Sequence, residues 1–314
     1  MFQYMDYAYA VYKEKSFTKA AKELCISQPA LSATIRKLEK SLGHPIFDRS
    51  GKTITLTDIG ERYIRSVEQI MLIRQNLQQE LEDLVDLKRG SMILGGTTYI
   101  ISDVLPALLK EFGRRYPDLE LKIQVEPSTL LWEKMDKGLV DIAIDNALVQ
   151  DPDHQYLPLF QEHILIGVPA DSPINEKLKA YQLDQAVLQE RNYDFSGMPK
   201  VNVAEFAKED FILLKTGNKM RQIAHNFFTD TGINPHVRFE FDQLSTSISF
   251  AEAGFGVCFL TDTILKHSGP SKNLVLYQPD TRYTERNLYI MYKKNKYLSA
   301  AARAFIDILQ EYFG

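Results

Sequence analysis

Near the amino terminus an amide, a hydroxyl and a guanidinium come close together: Gln28, Ser32 and, one helical turn beyond it, Arg36. These groups can read base edges in DNA. Glutamine pairs in bidentate fashion with adenine, a hydroxyl donates or accepts, and arginine reaches guanine or a phosphate. Pro29 and Ala30 offer apolar contact to a thymine methyl. Arg49 and Lys52 flank the Ser50-Gly51 turn and carry the charge for a phosphate or a minor groove. Lys13, Lys19, Lys22, Lys37 and Lys40 are as readily solvated surface as phosphate contacts.

A second group of side chains follows strand-like runs further along. Thr97-Thr98, Ser128-Thr129, Thr216-Gly217-Asn218 and Gln243-Leu244-Ser245-Thr246 all stand where a strand gives way to a helix, and Asp145 ends another strand. Each alone is also what a plain helix cap requires. Together, uncharged donors beside the free N–H groups of helix N-termini suit a small anion, a carboxylate or an amino acid. The candidate effector-binding residues are therefore Thr97, Thr98, Ser128, Thr129, Asp145, Thr216, Asn218, Gln243 and Ser245.

No catalytic or metal-binding set competes with these. His44, His154, His163, His225, His236 and His267 show no ligand spacing on one element. Cys25 and Cys258 are far apart and read as reduced, packed thiols. There is no G-x-S-x-G, H-E-x-x-H or P-loop, and Gly254-Phe255-Gly256 lacks the third glycine of a dinucleotide fingerprint. The expectation is a binding protein with no cofactor and no metal, not an enzyme.

The elements that must position these groups follow from periodicity. Phe2, Met5, Tyr9 and Tyr12 keep a helical period. Ser16 or Thr18 caps a second helix carrying Ala20, Ala21 and Leu24. Ser27 caps a third that runs to about Leu42, with Pro29 in its first turn and Gly43 as its stop. Ile46-Phe47 and Thr53–Leu56 then form a hairpin about Ser50-Gly51. Three helices and a hairpin in this order make a winged helix-turn-helix over residues 1–57. Thr57 or Asp58 caps a long helix reaching about Leu87. Its Tyr63, Val67, Ile70, Arg74, Leu77, Leu81 and Leu84 are spaced by fours and threes, the seam of a coiled coil. The expected dimerisation residues are Tyr63, Val67, Ile70, Leu77, Leu81 and Leu84, with Arg74 interrupting them. Residues 58–90 thus form a linker helix and a hinge at Lys88-Arg89-Gly90. Beyond it the pattern is β-α-β-α-β, a parallel α/β sheet. Further strands are expected at His163–Val168, Phe211–Leu214, Val237–Phe241, Gly256–Leu260 and Asn287–Tyr292. Helices are expected over Lys219–Asp230 and Ser247–Ala253, with Ser299–Phe313 as the closing helix.

Length and charge agree with this division. A chain of 314 residues accommodates two or three domains. The net charge is −4, but residues 1–60 hold nine Lys/Arg against six Asp/Glu, a local +3, and the remainder carries −7. Only the first sixty residues have an electrostatic reason to approach phosphates. No apolar run approaches the ~20 residues of a membrane span. The amino terminus does not read as a signal peptide, so the expected compartment is the cytoplasm.

The run Ser16-Phe17-Thr18-Lys19-Ala20-Ala21, Leu24, Ser27-Gln28-Pro29-Ala30-Leu31-Ser32, Ile35, Leu38-Glu39, Leu42-Gly43, Phe47-Asp48-Arg49, Leu56-Thr57 and Gly60 closely resembles the signature of LysR-type transcriptional regulators. Gly138, Asp141-Ile142-Ala143-Ile144 and Ala253-Gly254-Phe255-Gly256-Val257 are similar to that family's effector domain. The resemblance implies a sequence-specific regulator with an N-terminal winged helix-turn-helix, a linker helix and a two-lobed α/β effector domain like a type II periplasmic binding protein. Lobe one would be 91–161 plus 266–314, and lobe two 162–265, with a small-molecule effector between them. It also implies double-stranded operator DNA and RNA polymerase as partners, and a homodimer or homotetramer. The departures are Ala8 in place of a large aromatic, Lys15 in place of a glycine, Ala33 where a polar residue is common, and a longer segment over 172–210.

Overall fold

The structure, a computed structural model, describes residues 2–51, 53–85, 90–146, 151–190 and 193–313. The chain divides into two compact units, Met1–Leu81 and Glu82–Gly314.

The first unit contains α1 (Met5–Glu14), α2 (Phe17–Glu23), α3 (Gln28–Leu42), a hairpin of β1 (Phe47–Asp48) and β2 (Thr55–Leu56), and most of α4 (Asp58–Val85). The caps fall where side-chain oxygens are available. Ser16 accepts from Lys19 N and Ser27 from Ala30 N, each at 3.3 Å, which meets N–H groups that have no partner within their own helix. Lys15 ends α1 with φ 49°, a left-handed conformation that glycine adopts without steric cost. Thr57 starts α4: its hydroxyl oxygen accepts from Gly60 N at 2.9 Å and donates to Pro45 O at 2.7 Å. A Cβ on Gly60 would lie 2.0 Å from Ile46 O, so only glycine lets the hairpin approach the helix there. Ala8, Val11, Ala20, Leu31, Ile35 and Ile46 are fully buried at the centre. The small Ala8 is simply one of that packed set.

Along α4 the seven-residue seam divides in two. Tyr63 and Val67 belong to the core of this unit, at 6% and 0% exposure, and Ile70 packs against it. The apolar residues of the expected seam that are exposed are Leu77, Leu81 and Leu84, joined by Ile73. The assignment of Tyr63 and Val67 to a partner helix is therefore corrected: their own domain already covers them. Arg74 carries its guanidinium to Asp6 at 3.3 Å. The hinge at Lys88-Arg89 lies outside the described residues.

The second unit contains β3 (Ser91–Gly96), a π-helical turn Ile100–Val104, α5 (Pro106–Arg115), β4 (Glu120–Val125), α6 (Ser128–Asp136), β5 (Ile142–Asp145) and β6 (His154–Pro169). Next come α7 (Ile174–Lys177), β7 (Lys200–Val201), β8 (Asp210–Leu214), α8 (Lys219–Thr231), β9 (His236–Phe241), α9 (Leu244–Glu252) and β10 (Val257–Thr261). The chain closes with α10 (Asp262–Ser268), β11 (Leu274–Pro279), β12 (Glu285–Lys293) and α11 (Ala300–Phe313). The strand order is β4-β3-β5-β12-β6-β10-β8-β9, with β11 on β6 and β7 on β11. β3 is parallel to β4 and β5, and β8 is parallel to β9 and β10.

Two large hydrophobic cores make two lobes, with a smaller cluster of Leu131, Met135, Val140, Ala143 and Met291 on the sheet of the first. Met92, Leu94, Phe112, Ile144, Ile290 and Phe305 belong to the first. Ile166, Phe206, Phe211, Phe227, Leu260 and Tyr277 belong to the second. β6 serves both, since residues 154–163 pair with β12 and residues 164–169 with β10 or β11. Leu274, Leu276 and Tyr277 lie in the second core, so the return to lobe one comes with β12 and not at 266 as expected. The long segment 172–210 contributes Leu178, Leu183, Leu188, Phe195, Val201 and Phe206 to that core, which accounts for its apolar content.

Candidate functional site: a recognition helix and an inter-lobe cavity

In the first unit, Gln28, Pro29, Ala30, Ala33 and Arg36 are exposed on α3. Ser32 is not: at 6% exposure it lies beneath Gln28, whose Nε2 donates to Ser32 Oγ at 2.9 Å. The hydroxyl expected at base edges instead fixes the rotamer of the amide above it. Arg49 is drawn back onto the domain, with Nη2 3.1 Å from Glu39 Oε2 and its guanidinium 4.6 Å from the Phe17 ring centroid. Glu39 Oε1 also accepts from Ile46 N and Phe47 N, so one carboxylate ties the hairpin to the helix. Lys52 lies outside the described residues.

In the second unit a cavity of about 470 Å³ opens at the carboxyl ends of β3, β5 and β8. Ligands of open α/β sheets lie at such ends because helix N-termini turn free N–H groups toward them. Thr97, Thr98, Ser128, Thr129, Asp145, Thr216, Asn218 and Gln243 all line it. Ser245 does not. α9 begins at Leu244, and at about 100° per residue Ser245 is turned away from the buried Leu244 onto the exposed side. Ser128 and Thr129 are not caps, as expected for them, but the first two residues of α6, behind Pro127. Asn218 is a true cap, accepting from Met220 N at 2.8 Å. Gln243 Nε2 lies 3.5 Å from Thr98 Oγ1, the limit of a hydrogen bond between the lobes.

Sequence reasoning missed the charged floor. Glu162 on β6 is fully buried and pairs with Arg286 Nε on β12, facing it in the ladder. Tyr99 OH donates to Glu162 Oε2 at 2.6 Å and takes the Thr261 hydroxyl at 2.9 Å. Burial first, then the Glu162 charge, raise the Tyr99 pKa well above the ordinary phenol value, so it stays protonated. Nearby, Lys219 Nζ bridges the lobes, 2.7 Å from Asp145 Oδ2, and donates to Asn146 O. Burial lowers its pKa, and Asp145 opposes that shift. The Asn146 side chain lines the same corner at 6% exposure, with its Nδ2 buried and without a partner among the described residues. Glu162 alternates with Phe160 and Ile164 along β6, and a charge at that position of an alternating strand was the available signal.

Strand alternation gives these residues a reverse side. His163, Asp262 and Glu285 follow or precede Glu162, Thr261 and Arg286. His163 Nδ1 is 3.1 Å from Asp262 Oδ2, which also accepts from the Tyr193 hydroxyl. The Phe195 ring stacks on His163 with centroids 3.9 Å apart. The long segment therefore covers the back of the strands that join the lobes.

The geometry matches known proteins. The profile of bacterial regulatory helix-turn-helix proteins of the lysR family fits residues 2–61, and that of the LysR substrate binding domain fits 86–186 and 180–314. YcgK, an uncharacterised helix-turn-helix transcriptional regulator of Bacillus subtilis (strain 168), is 30% identical over 98% of this chain and 93% of its own length. CmpR, a transcriptional activator of Synechocystis sp., is 25% identical over 96% of this chain and 91% of its own. A full-length OxyR variant from Pseudomonas aeruginosa has the same fold, with a TM-score of 0.65 at 23% identity, covering 98% of this chain and 92% of that one. Full-length CbnR complexed with its target DNA gives 0.60 at 15% identity, covering 99% of both chains. An exposed recognition helix, a cleft between two α/β lobes and profile matches along nearly the whole length lead to one conclusion: this protein belongs to the LysR family of DNA-binding transcriptional regulators, with an effector-binding domain and no enzymatic role.

Proposed function

We propose that this regulator binds its operator through α3 and changes its DNA binding, or the bend it imposes, when a small carboxylate or amino acid enters the cavity between its lobes. The observation that carries this is the convergence of eight separately placed hydroxyl, amide and carboxylate side chains on one cavity. They come from four different strand-to-helix junctions and a strand end, and a capping role alone does not require them to meet. On the DNA side, Gln28, Pro29, Ala30 and Arg36 form the reading surface, with Ser32 holding Gln28 in place. Arg49 and Lys52 contribute charge at the wing. The exposed Ile73, Leu77, Leu81 and Leu84 of α4 support association with a second copy, and pairs of dimers give the tetramer. RNA polymerase is the partner through which such a protein acts.

The test is a footprint of the purified protein on DNA upstream of its own gene, at fixed salt, with and without a metabolite panel. The reading expects specific, salt-sensitive protection that shifts with one carboxylate-bearing metabolite. A footprint unmoved by every member of the panel would refute the effector half. Binding no better than to random DNA at matched salt would refute that operator.

A further inference from the structure

Resting on the reading of the cleft as the effector site, we propose that its ligand is a zwitterion of the amino-acid kind, and not a plain carboxylate. The cavity walls hold no surplus of positive charge. Lys215, Lys219 and Arg286 line it together with Glu126, Asp145, Glu162 and Asp242. Every one of those cations already has a counter-ion: Lys215 has Asp242 at 2.6 Å, Lys219 has Asp145 at 2.7 Å, and Arg286 has Glu162. Glu126 is matched by Lys134.

A plain anion could gain a cation only by taking one from its partner. Lys215 and Asp242 pair in solvent, with 55% and 70% of their side chains exposed, and the cation enclosed between the lobes is Lys219, at the start of α8. Removing it would leave the Asp145 side chain, 5% exposed, as an uncompensated buried carboxylate, which is the expensive way to break such a pair. A ligand with both an ammonium and a carboxylate avoids this. Its carboxylate takes Lys219, its ammonium takes Asp145, and one internal pair becomes two. The second observation is the side chain next to them. Asn146 Nδ2 is buried, has no partner among the described residues and lies beside the same pair, and the Lys219 ammonium already donates to the Asn146 carbonyl. A carboxylate at Lys219 gives that amide the acceptor it lacks, along with the free N–H groups at the start of α8.

The test is calorimetric titration of the full-length protein with the twenty standard L-amino acids. Each amino acid, whether or not it binds, is paired with the matched acid lacking the amine and the amine lacking the carboxylate. The proposal expects at least one amino acid to bind, and loss of either charged group to weaken it by at least about 30-fold, as for one side of a desolvated pair. Asp145→Asn, with its fold checked by circular dichroism, should weaken the amino acid while leaving the deaminated acid equal or tighter. A deaminated acid that binds the wild type as well as its parent overturns the zwitterion and leaves the carboxylate reading standing. Failure of every amino acid and every deaminated acid overturns both.

Discussion

Glu162→Gln isolates the physics of the cavity floor. The substitution keeps the shape of the side chain and removes its charge, so Arg286, with 12% of its side chain exposed, loses its counter-ion. Breaking a buried pair from one side costs about 3–5 kcal/mol, because the remaining charge stays desolvated. Arg286 borders a solvent-accessible cavity, which places the cost near the lower end, about 3 kcal/mol. For a domain of this size each kcal/mol moves the midpoint by about 2–4 °C, so the second unit should melt about 6–12 °C lower. The assay is built in: the single tryptophan, Trp132, sits on α6 in lobe one, and its fluorescence reports on this unit alone. A control separates charge from packing. Replacing Glu162 and Arg286 together by methionine removes both desolvated charges and should recover most of the loss. If Glu162→Gln melts within about 2 °C of the wild type, the floor is not a desolvated ion pair and the argument fails.

Three further outcomes follow from the same structure. Gln28→Ala should cost about 1–3 kcal/mol on the operator and relax preference at one base position, read by competition binding; equal losses on specific and random DNA would remove Gln28 from base contact. Leu77→Asp, on the exposed part of α4, should shift the protein toward monomer in sedimentation, and an unchanged oligomer would refute the association surface. Burial lowers the Lys219 pKa and Asp145 opposes that shift, so as pH rises its ammonium is lost before the ordinary lysine value of 10.5. Affinity for a carboxylate ligand should fall over that alkaline range and should hold in Lys219→Arg; a wild-type affinity flat up to pH 10.5 would contradict a role for Lys219.

What the residues disclosed depends on how local the determinants are. Ser16, Ser27, Gly43 and Thr57 cap helices within a few residues of themselves, so the winged helix and its caps were legible from spacing. The hydroxyl residues at strand ends were legible for the same reason, because a parallel strand followed by a helix fixes where the next polar residues point. Glu162 and Arg286 were not, being 124 positions apart and brought together only by the β6–β12 register. The Lys219–Asp145 bridge joins two lobes whose approach no local pattern encodes. The α4 seam misled in its first half because a helix face that packs on its own domain and one that meets a partner share the same apolar period. Similarly, the apolar run Leu274–Pro279 was passed over, and with it the true point of return to lobe one.

The alternation at the joining strands constrains how the gene can change. Glu162 and Arg286 face the cavity only because His163 and Glu285 face away. A one-residue insertion or deletion within β6 or β12 would exchange the two sets, bringing His163 or Glu285 toward the cleft and sending Glu162 or Arg286 to the back. Those strands can therefore accept substitutions but not changes of length. Among the described residues, the segment over 172–210 meets the sheet at β11, through β7 and Gln182, so a change of length in its turns leaves the register of β6 and β12, and with it the charges of the cleft, in place.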